Sequence, residues 1–352
     1  MNRRKFLGSA LGGAAAAAFL PFGRALAQPA RPMVFASWGG ALTEMQKAIF
    51  MDPASTALGQ PIETVSPLSY AKIKAMVEAG AVEWDLTDIG GHFAVNGGRE
   101  GLLEKLDFSV IDVSRLDKHW YSDYGVYAHC GAMVMAWNTD MIGQEGPKSW
   151  KDFWDVKNLP GKRSLYNRMW MNYEAALLAD GVAPEEIYPA TDEKVKLMFA
   201  KLTELKPHIP VWWTPSTAAQ PPQLVSSGEL ALATSWSGRV IEMQKEKAPI
   251  AYTLDQALAV GDVLAIPKGS PYRDHAMKVI NYVISEEVQL RLLDYGIYGP
   301  VLSSASDKAD ADTRKILVTA SENASKVFYP SDTESAKYME KYEEEWNNFM
   351  LK

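Results

Sequence analysis

The chain is predicted to be an α/β protein built on largely parallel sheets. Short apolar, strand-like runs alternate with amphipathic helical patterns along nearly its whole length. Hydrophobic residues make up 47% and charged residues 22% of 352, enough apolar surface for a substantial core and too much for a disordered chain. Glycine pairs at Gly39-Gly40 and Gly90-Gly91 follow two of the early strand-like runs. Open α/β sheets bind their ligands at such carboxyl edges.

Residues 32–36 read as the first strand, and Leu42, Met45 and Ile49 give the next helix one buried face. A second strand at 62–65 precedes a helix marked by Ile73, Met76 and Val77, and a third strand at 85–89 ends in Gly90-Gly91. A long strand signal, 126–137, closes this unit at Asn138-Thr139-Asp140. Ser149 can cap a helix whose Asp152 returns the hydrogen bond. Leu159-Pro160-Gly161-Lys162 turns into a strand at 163–166, followed by helices around 174–178 and 195–205 and the aromatic strand 211–213. Strands at 230–236 and 263–266 end the second unit. After the break Pro267-Lys268-Gly269-Ser270-Pro271 the pattern is helical at 276–284 and 288–293, and Ser331 caps a last amphipathic helix. One lobe opens, yields to a second, and resumes late, with crossings near Trp137 and Ile266.

The first residues carry an address. Arg3, Arg4 and Lys5 precede a Gly/Ala-rich apolar stretch at 6–20, and Ala25-Leu26-Ala27 supplies a small-x-small cleavage pattern. The stretch is shorter than a bilayer span requires. The adjacent arginines resemble a twin-arginine export signal. Cleavage removes Arg3, Arg4, Lys5 and Arg24, making a chain of formal charge −7 four charges more acidic. Such a balance gives no footing for nucleic acid. A single cysteine, Cys130, rules out an intramolecular disulfide and thiolate metal clusters, and its apolar surroundings predict a buried, inert thiol.

Sites that need fixed spacing are missing. The sequence has no phosphate loop, no complete dinucleotide glycine motif, no HExxH and no GxSxG. The five histidines, at 92, 119, 129, 208 and 275, have no helical metal spacing and are expected to be exposed or capping. Acidic runs such as Glu343-Glu344-Glu345 read as helix surface. Neither enzyme, cofactor nor metal is expected. What stands out is aromatic content near strand ends: Trp38, Trp170, Trp212, Trp213, Trp236 and Tyr298, within a total of eleven tryptophans. Planar rings at such an edge can enclose an alkyl chain or face a cation.

The segments Ser37-Trp38-Gly39-Gly40, Leu159-Pro160-Gly161-Lys162, Ser226-Ser227-Gly228-Glu229-Leu230-Ala231, Trp236-Ser237-Gly238-Arg239 and Ala265-Ile266-Pro267-Lys268-Gly269-Ser270-Pro271 together resemble the periplasmic solute-binding proteins of ABC importers, in the spermidine/putrescine-type branch. The resemblance covers the mature chain in order. It implies a two-lobe, type II periplasmic binding fold with two strand crossovers as hinge: residues 28–137 plus 267–352 in lobe 1, 138–266 in lobe 2, and 1–27 as export signal. It also implies a periplasmic monomer that works with permease subunits.

In this branch a carboxylate before the return strand holds an amine, and Asp262 in Val260-Gly261-Asp262-Val263-Leu264-Ala265-Ile266-Pro267 occupies that place. The family's tryptophan in that stretch is Val260 here, which removes one wall of a polyamine slot. Arg239 after Trp236 offers a planar fork for a carboxylate and would repel a second ammonium. Arg239 with Asp262 resembles the pairing in 4-aminobutyrate binders of the branch, so the expected solute is a zwitterion such as an ω-amino acid. Trp38, Trp236 and Tyr298 are expected as walls, with Arg168 and Trp170 in support. A polyamine is the alternative ligand. Ferric binding lacks its adjacent tyrosines, and a periplasmic hydrolase lacks a nucleophile and base.

Overall fold

The computed structural model describes residues 31–352, so the export segment lies outside the described residues. Nine strands form one sheet: β1 Met33–Ala36, β2 Ile62–Val65, β3 Leu86–Gly90, β4 Tyr121–Ser122, β5 Gly125–Asn138, β6 Arg163–Tyr166, β7 Val211–Trp213, β8 Leu232–Trp236 and β9 Ile250–Ala265. Their order is β2-β1-β3-β9-β5-β8-β6-β7, with β4 hairpinned onto β5.

The two flanks are parallel, β1 with β2 and β3, and β6 with β7 and β8. The middle is antiparallel, because β5 and β9 run against each other and against β3 and β8. This corrects the expectation of largely parallel sheets. Here the two parallel flanks share one sheet through two long antiparallel strands, β5 and β9. The return strand expected at 263–266 proves to be sixteen residues long, spanning both halves. Its polar stretch Thr253 to Gln256 and its Gly261-Asp262 pair hid it from an apolar-run search.

One buried cluster runs across the sheet from Phe35 and Leu86 to Ala233 and Val240. Three others are separate: a small one of Ala309, Leu317 and Ala320, one of Ala36, Ile89 and Val263 with Ile73, and one of Met133, Leu165, Trp213 and Leu258 with Trp150. Tyr338 and Trp346 join the last of these, although they belong to the C-terminal stretch that the sequence places with lobe 1. The helix Asp332–Lys341 thus touches both halves. Asp332 accepts from Tyr127 Oη at 2.6 Å, while Tyr338 donates to the buried Glu174 at 3.0 Å.

Local signals hold where they are chemical. Ser149 and Ser331 accept from the backbone N–H three residues on and cap their helices, but Asp152 does not return the bond to Ser149: its carboxylate accepts from the Lys148 N–H instead. Gly39 and Gly40 adopt φ of 102° and 64°, a left-handed bend that a side chain would strain, and it turns the chain out of β1 beside Trp38. Cys130 is buried, and burial pushes its thiol up to about 12.

β5 and β9 depart from regular pairing at one place that matters. Tyr127 faces Val263 and His129 faces Asp262, leaving Ala128 as the extra residue of a bulge. Gly261 sits beside it, and a Cβ there would lie 2.3 Å from the His129 carbonyl oxygen. Gly261→Ala should therefore cost roughly 1–3 kcal/mol by overpacking against backbone. Thermal unfolding of the purified variant checks this, and an unchanged midpoint would show that the bulge yields freely.

Candidate functional site

The chain of β1 leaves the sheet at Ser37-Trp38, β3 ends at Gly90, β6 runs into Asn167-Arg168, and β8 ends at Trp236. All four ends lie where the sheet's carboxyl edges collect loops.

Asp262 stands inside β9 rather than in a turn, opposite Gly90 of β3 and His129 of β5. Trp38 Nε1–H donates to Asp262 Oδ1 at 3.2 Å, and His129 Nε2 lies 3.8 Å from Oδ2. His129 is fully buried, and burial holds its imidazole down at about 4, so at neutral pH it carries no charge to offset the acid. No Lys or Arg among the described residues pairs with Asp262. Burial also raises Asp262 itself to about 7, partly opposed by the Trp38 bond. A half-buried carboxylate with one indole donor and no cation is an electrostatic vacancy for an external ammonium.

Tyr298 closes one side, its ring 4.8 Å from His129, with burial and then the Asp262 charge pushing its hydroxyl up. Trp38 is 38% exposed and meets Tyr70 edge-on at 5.6 Å, while Tyr70 stacks on Phe93 at 3.8 Å. Tyr70 Oη in turn accepts from the Gly90 N–H at 3.1 Å.

The second half supplies an aromatic group of its own. Trp236 lies 5.5 Å from Tyr166, 5.1 Å from Trp213 and 6.3 Å from Trp170. Trp170 reaches His92 at 5.2 Å, joining the helix Gly91–Arg99 to the second half. Trp170 and Met171 depart from helical backbone, Met171 with φ of 71°, where helix Met169–Asp180 begins. Strain of this kind at a loop edge accompanies functional positions. Arg168 is exposed, and its charge acts on Tyr166, Tyr70 and, after burial, His92, which is held down at about 4.

Arg239 is the third residue of helix Ser237–Lys245, directly after Trp236. Its Nη1 pairs with Glu242 at 3.1 Å, with the side chain 41% exposed. Its charge also acts on Tyr298, which links it to the Asp262 side of the site. A helix-surface pair of this kind contributes little, so the guanidinium can turn to a ligand at small cost.

Trp38 and His129 thus meet at Asp262 with Tyr298 against His129, while Trp170 and Trp236 belong to the second aromatic group; Arg168 acts on Tyr166 and Arg239 on Tyr298. Trp213 belongs to the core instead, 1% exposed. Sequence reading missed Tyr70, His92, Tyr166, Asp88 and His129. His129 was expected to be exposed or capping, and it is buried because the bulge at Ala128 turns it in beside Asp262.

A half-buried carboxylate beside aromatic rings, with two arginines whose charges reach those rings, can hold a small charged molecule. Comparison with known proteins then places the chain. The profile of the bacterial extracellular solute-binding proteins matches residues 62–319. A gamma-aminobutyric acid-binding protein of Pseudomonas aeruginosa strain PAO1 is 33% identical over 308 residues, 86% of this chain and 86% of that protein. A solved GABA receptor superposes with a TM-score of 0.82 at 33% identity, covering 91% of this chain and 97% of the other. An ABC transporter substrate-binding protein from Bradyrhizobium japonicum USDA 110 gives 0.84 at 35% identity, covering 91% and 99%.

The chain belongs to the bacterial extracellular solute-binding protein family. It is a periplasmic substrate-binding protein of an ABC importer, with the two-lobe type II fold and no enzymatic role. It captures a small solute and works with permease subunits. No helix among the described residues is long and apolar enough to cross a membrane.

Proposed function

We propose that the solute is a small zwitterion, 4-aminobutyrate or a related ω-amino acid. Asp262 takes the ammonium, Arg239 takes the carboxylate after releasing Glu242, and Trp38, Trp236 and Tyr298 enclose the methylenes. Arg168 and Trp170 support the second half. The observation that carries this reading is the half-buried Asp262 carboxylate, which the Trp38 indole bonds and no Lys or Arg among the described residues pairs; Arg239, held only by Glu242, supplies a guanidinium whose charge acts on Tyr298. The likeness to proteins named for GABA agrees with it. A polyamine would bring a second ammonium toward Arg239 or Arg168, which like-charge repulsion opposes.

Lobe 1 (28–137 and 267–352) and lobe 2 (138–266) close about β5 and β9, with the helix Asp332–Lys341 crossing between them. Ligand bridging both lobes stabilises the closed form by its differential affinity. Residues 1–27 direct export by the twin-arginine route, and the protein acts as a monomer. Loss of export in cells lacking that translocase checks the route.

The test of ligand class is a thermal-shift screen of ligand-stripped protein against 4-aminobutyrate, other ω-amino acids, α-amino acids, betaines, putrescine and spermidine. A true ligand at 100 times its Kd adds about 2.7 kcal/mol of stability. Shifts with zwitterions alone support the assignment, and shifts with diamines alone overturn it. Solution scattering at saturation should show compaction.

Affinity should also depend on pH with a definite sign. Binding an ammonium requires ionised Asp262, whose carboxyl sits at about 7 in the free protein. Affinity is therefore full above pH 8 and falls by up to about tenfold for each unit below 7. Calorimetric titration at pH 5.5, 7 and 8.5 checks it.

A further inference from the structure

His92 and Trp170 meet across the two halves. His92 is the second residue of the helix Gly91–Arg99, which follows β3 directly, and Trp170 stands in the distorted opening turn of the helix Met169–Asp180, after β6. Their ring centroids lie 5.2 Å apart. A Cβ on Gly90 would lie 3.0 Å from His92 Cε1 and 3.3 Å from its Nδ1, so the imidazole folds over Gly90, the residue that faces Asp262 in the ladder. On its other side Trp170 reaches the Trp236 ring at 6.3 Å.

Each of the two rings carries a buried nitrogen with nothing to bond. Trp170 Nε1 and His92 Nδ1 are closed off from water, and neither finds a hydrogen-bond partner among the described residues. An indole N–H can only donate, and leaving a buried donor unpaired is costly. Two such atoms on neighbouring rings, one from each half, are accounted for if their acceptor arrives with the ligand. Arg168 sets the sign of that acceptor. Its charge acts on His92 and on Tyr166, whose ring Trp170 meets edge-on at 6.3 Å, and a cation in this place favours an anionic oxygen.

We propose that Trp170 Nε1–H and His92 Nδ1–H are a pair of neutral donors that bind one oxygen of the solute's carboxylate, a specificity subsite assembled from both halves. This rests on the reading of the solute as an ω-amino acid. A carboxylate offers about four lone-pair positions, so the pair adds to the Arg239 fork and does not replace it. The neutral imidazole carries its proton on Nδ1 when the oxygen is bound. Because each half supplies one donor, the bound oxygen ties the halves together. The subsite also rejects a diamine, whose second ammonium would bring a donor to two donors.

The indole 1H–15N resonances of the whole, ligand-stripped protein test this. Trp170 is assigned by its loss in Trp170→Phe, and Trp38, which donates to Asp262, reports on the amine end. Saturation with 4-aminobutyrate should move the Trp170 proton downfield, as a new bond to an anion does. In calorimetry at pH 8, Trp170→Phe and His92→Phe, which keep a ring and lose the donor, should each weaken 4-aminobutyrate by about 10- to 100-fold. His92→Asn keeps a donor near the Nδ1 position and should recover most of that loss. Unchanged affinity in both phenylalanine variants makes the rings mere walls and overturns the proposal, as does a Trp38 resonance that responds to 4-aminobutyrate while that of Trp170 stays still. If 4-aminobutyrate moves neither resonance, the ω-amino acid reading fails, and acetate, a bare carboxylate, decides the subsite: a saturable Trp170 shift supports it and no shift overturns it.

Discussion

Asp262→Asn should weaken 4-aminobutyrate binding by about 30- to 5,000-fold, corresponding to roughly 2–5 kcal/mol. The amide keeps the shape and can still accept from the Trp38 indole, so the loss isolates the charge. In the variant the ammonium, stripped of water by Trp38 and Tyr298, meets a neutral group, and uncharged His129 supplies nothing in exchange. Arg239→Lys makes the complementary point at the other end. Lysine keeps the charge and loses the planar fork, so its deficit measures how much of carboxylate recognition is geometric. Calorimetry at pH 8, where Asp262 is ionised, reads both. Near-unchanged affinity in Asp262→Asn would refute the ammonium role.

The second large effect concerns stability. Arg163 opens β6 and is fully buried. Its Nε–H donates to the Phe153 carbonyl at 2.8 Å and its Nη1 to Gly161 at 2.6 Å, while Nη2 serves Leu159 and, at 3.4 Å, Asp155. One guanidinium thus ties the end of helix Trp150–Trp154 and the following turn to the strand that delivers Arg168 to the site. Burial holds it down at about 10, still charged at neutral pH. Arg163→Met keeps much of the volume and takes the guanidinium from the Phe153, Leu159 and Gly161 carbonyls, while the Asp155 carbonyl keeps the Leu159 N–H. The cost should be roughly 3–5 kcal/mol, a fall in Tm of roughly 6–10 °C. Differential scanning calorimetry checks it, and a change of about one degree or less would mean that those carbonyls find water or other donors.

Much of this architecture was legible from sequence because its signals are local. The strands β1, β2, β3, β6, β7 and β8 are short and each lies within one window of sequence, and the serine caps at 149 and 331 depend on chemistry three residues away. β9 was not legible along its length, since a bulged strand with Asp255, Gln256, Gly261 and Asp262 has neither a clean alternation nor an apolar run. The same holds for the site. Asp262, Arg239 and the tryptophans carry motifs in their own neighbourhoods. His129 becomes meaningful only when β5 and β9 lie side by side, which pairs residues 129 and 262 that share no window of sequence. The structure also shows what spacing could not, that Trp213 is core and that Arg239 rests on Glu242 before any ligand arrives.

The central claim is that one anion and one rim cation select a zwitterion. The most direct test is calorimetric titration of the ligand-stripped mature protein at pH 8 with 4-aminobutyrate and, separately, with putrescine, which differ chiefly in the charge at one end. Saturable binding of 4-aminobutyrate with no heat from putrescine is the predicted result. Tight binding of putrescine with 4-aminobutyrate silent would contradict it and would mean that Arg239 stays with Glu242 while Asp262 faces a polyamine.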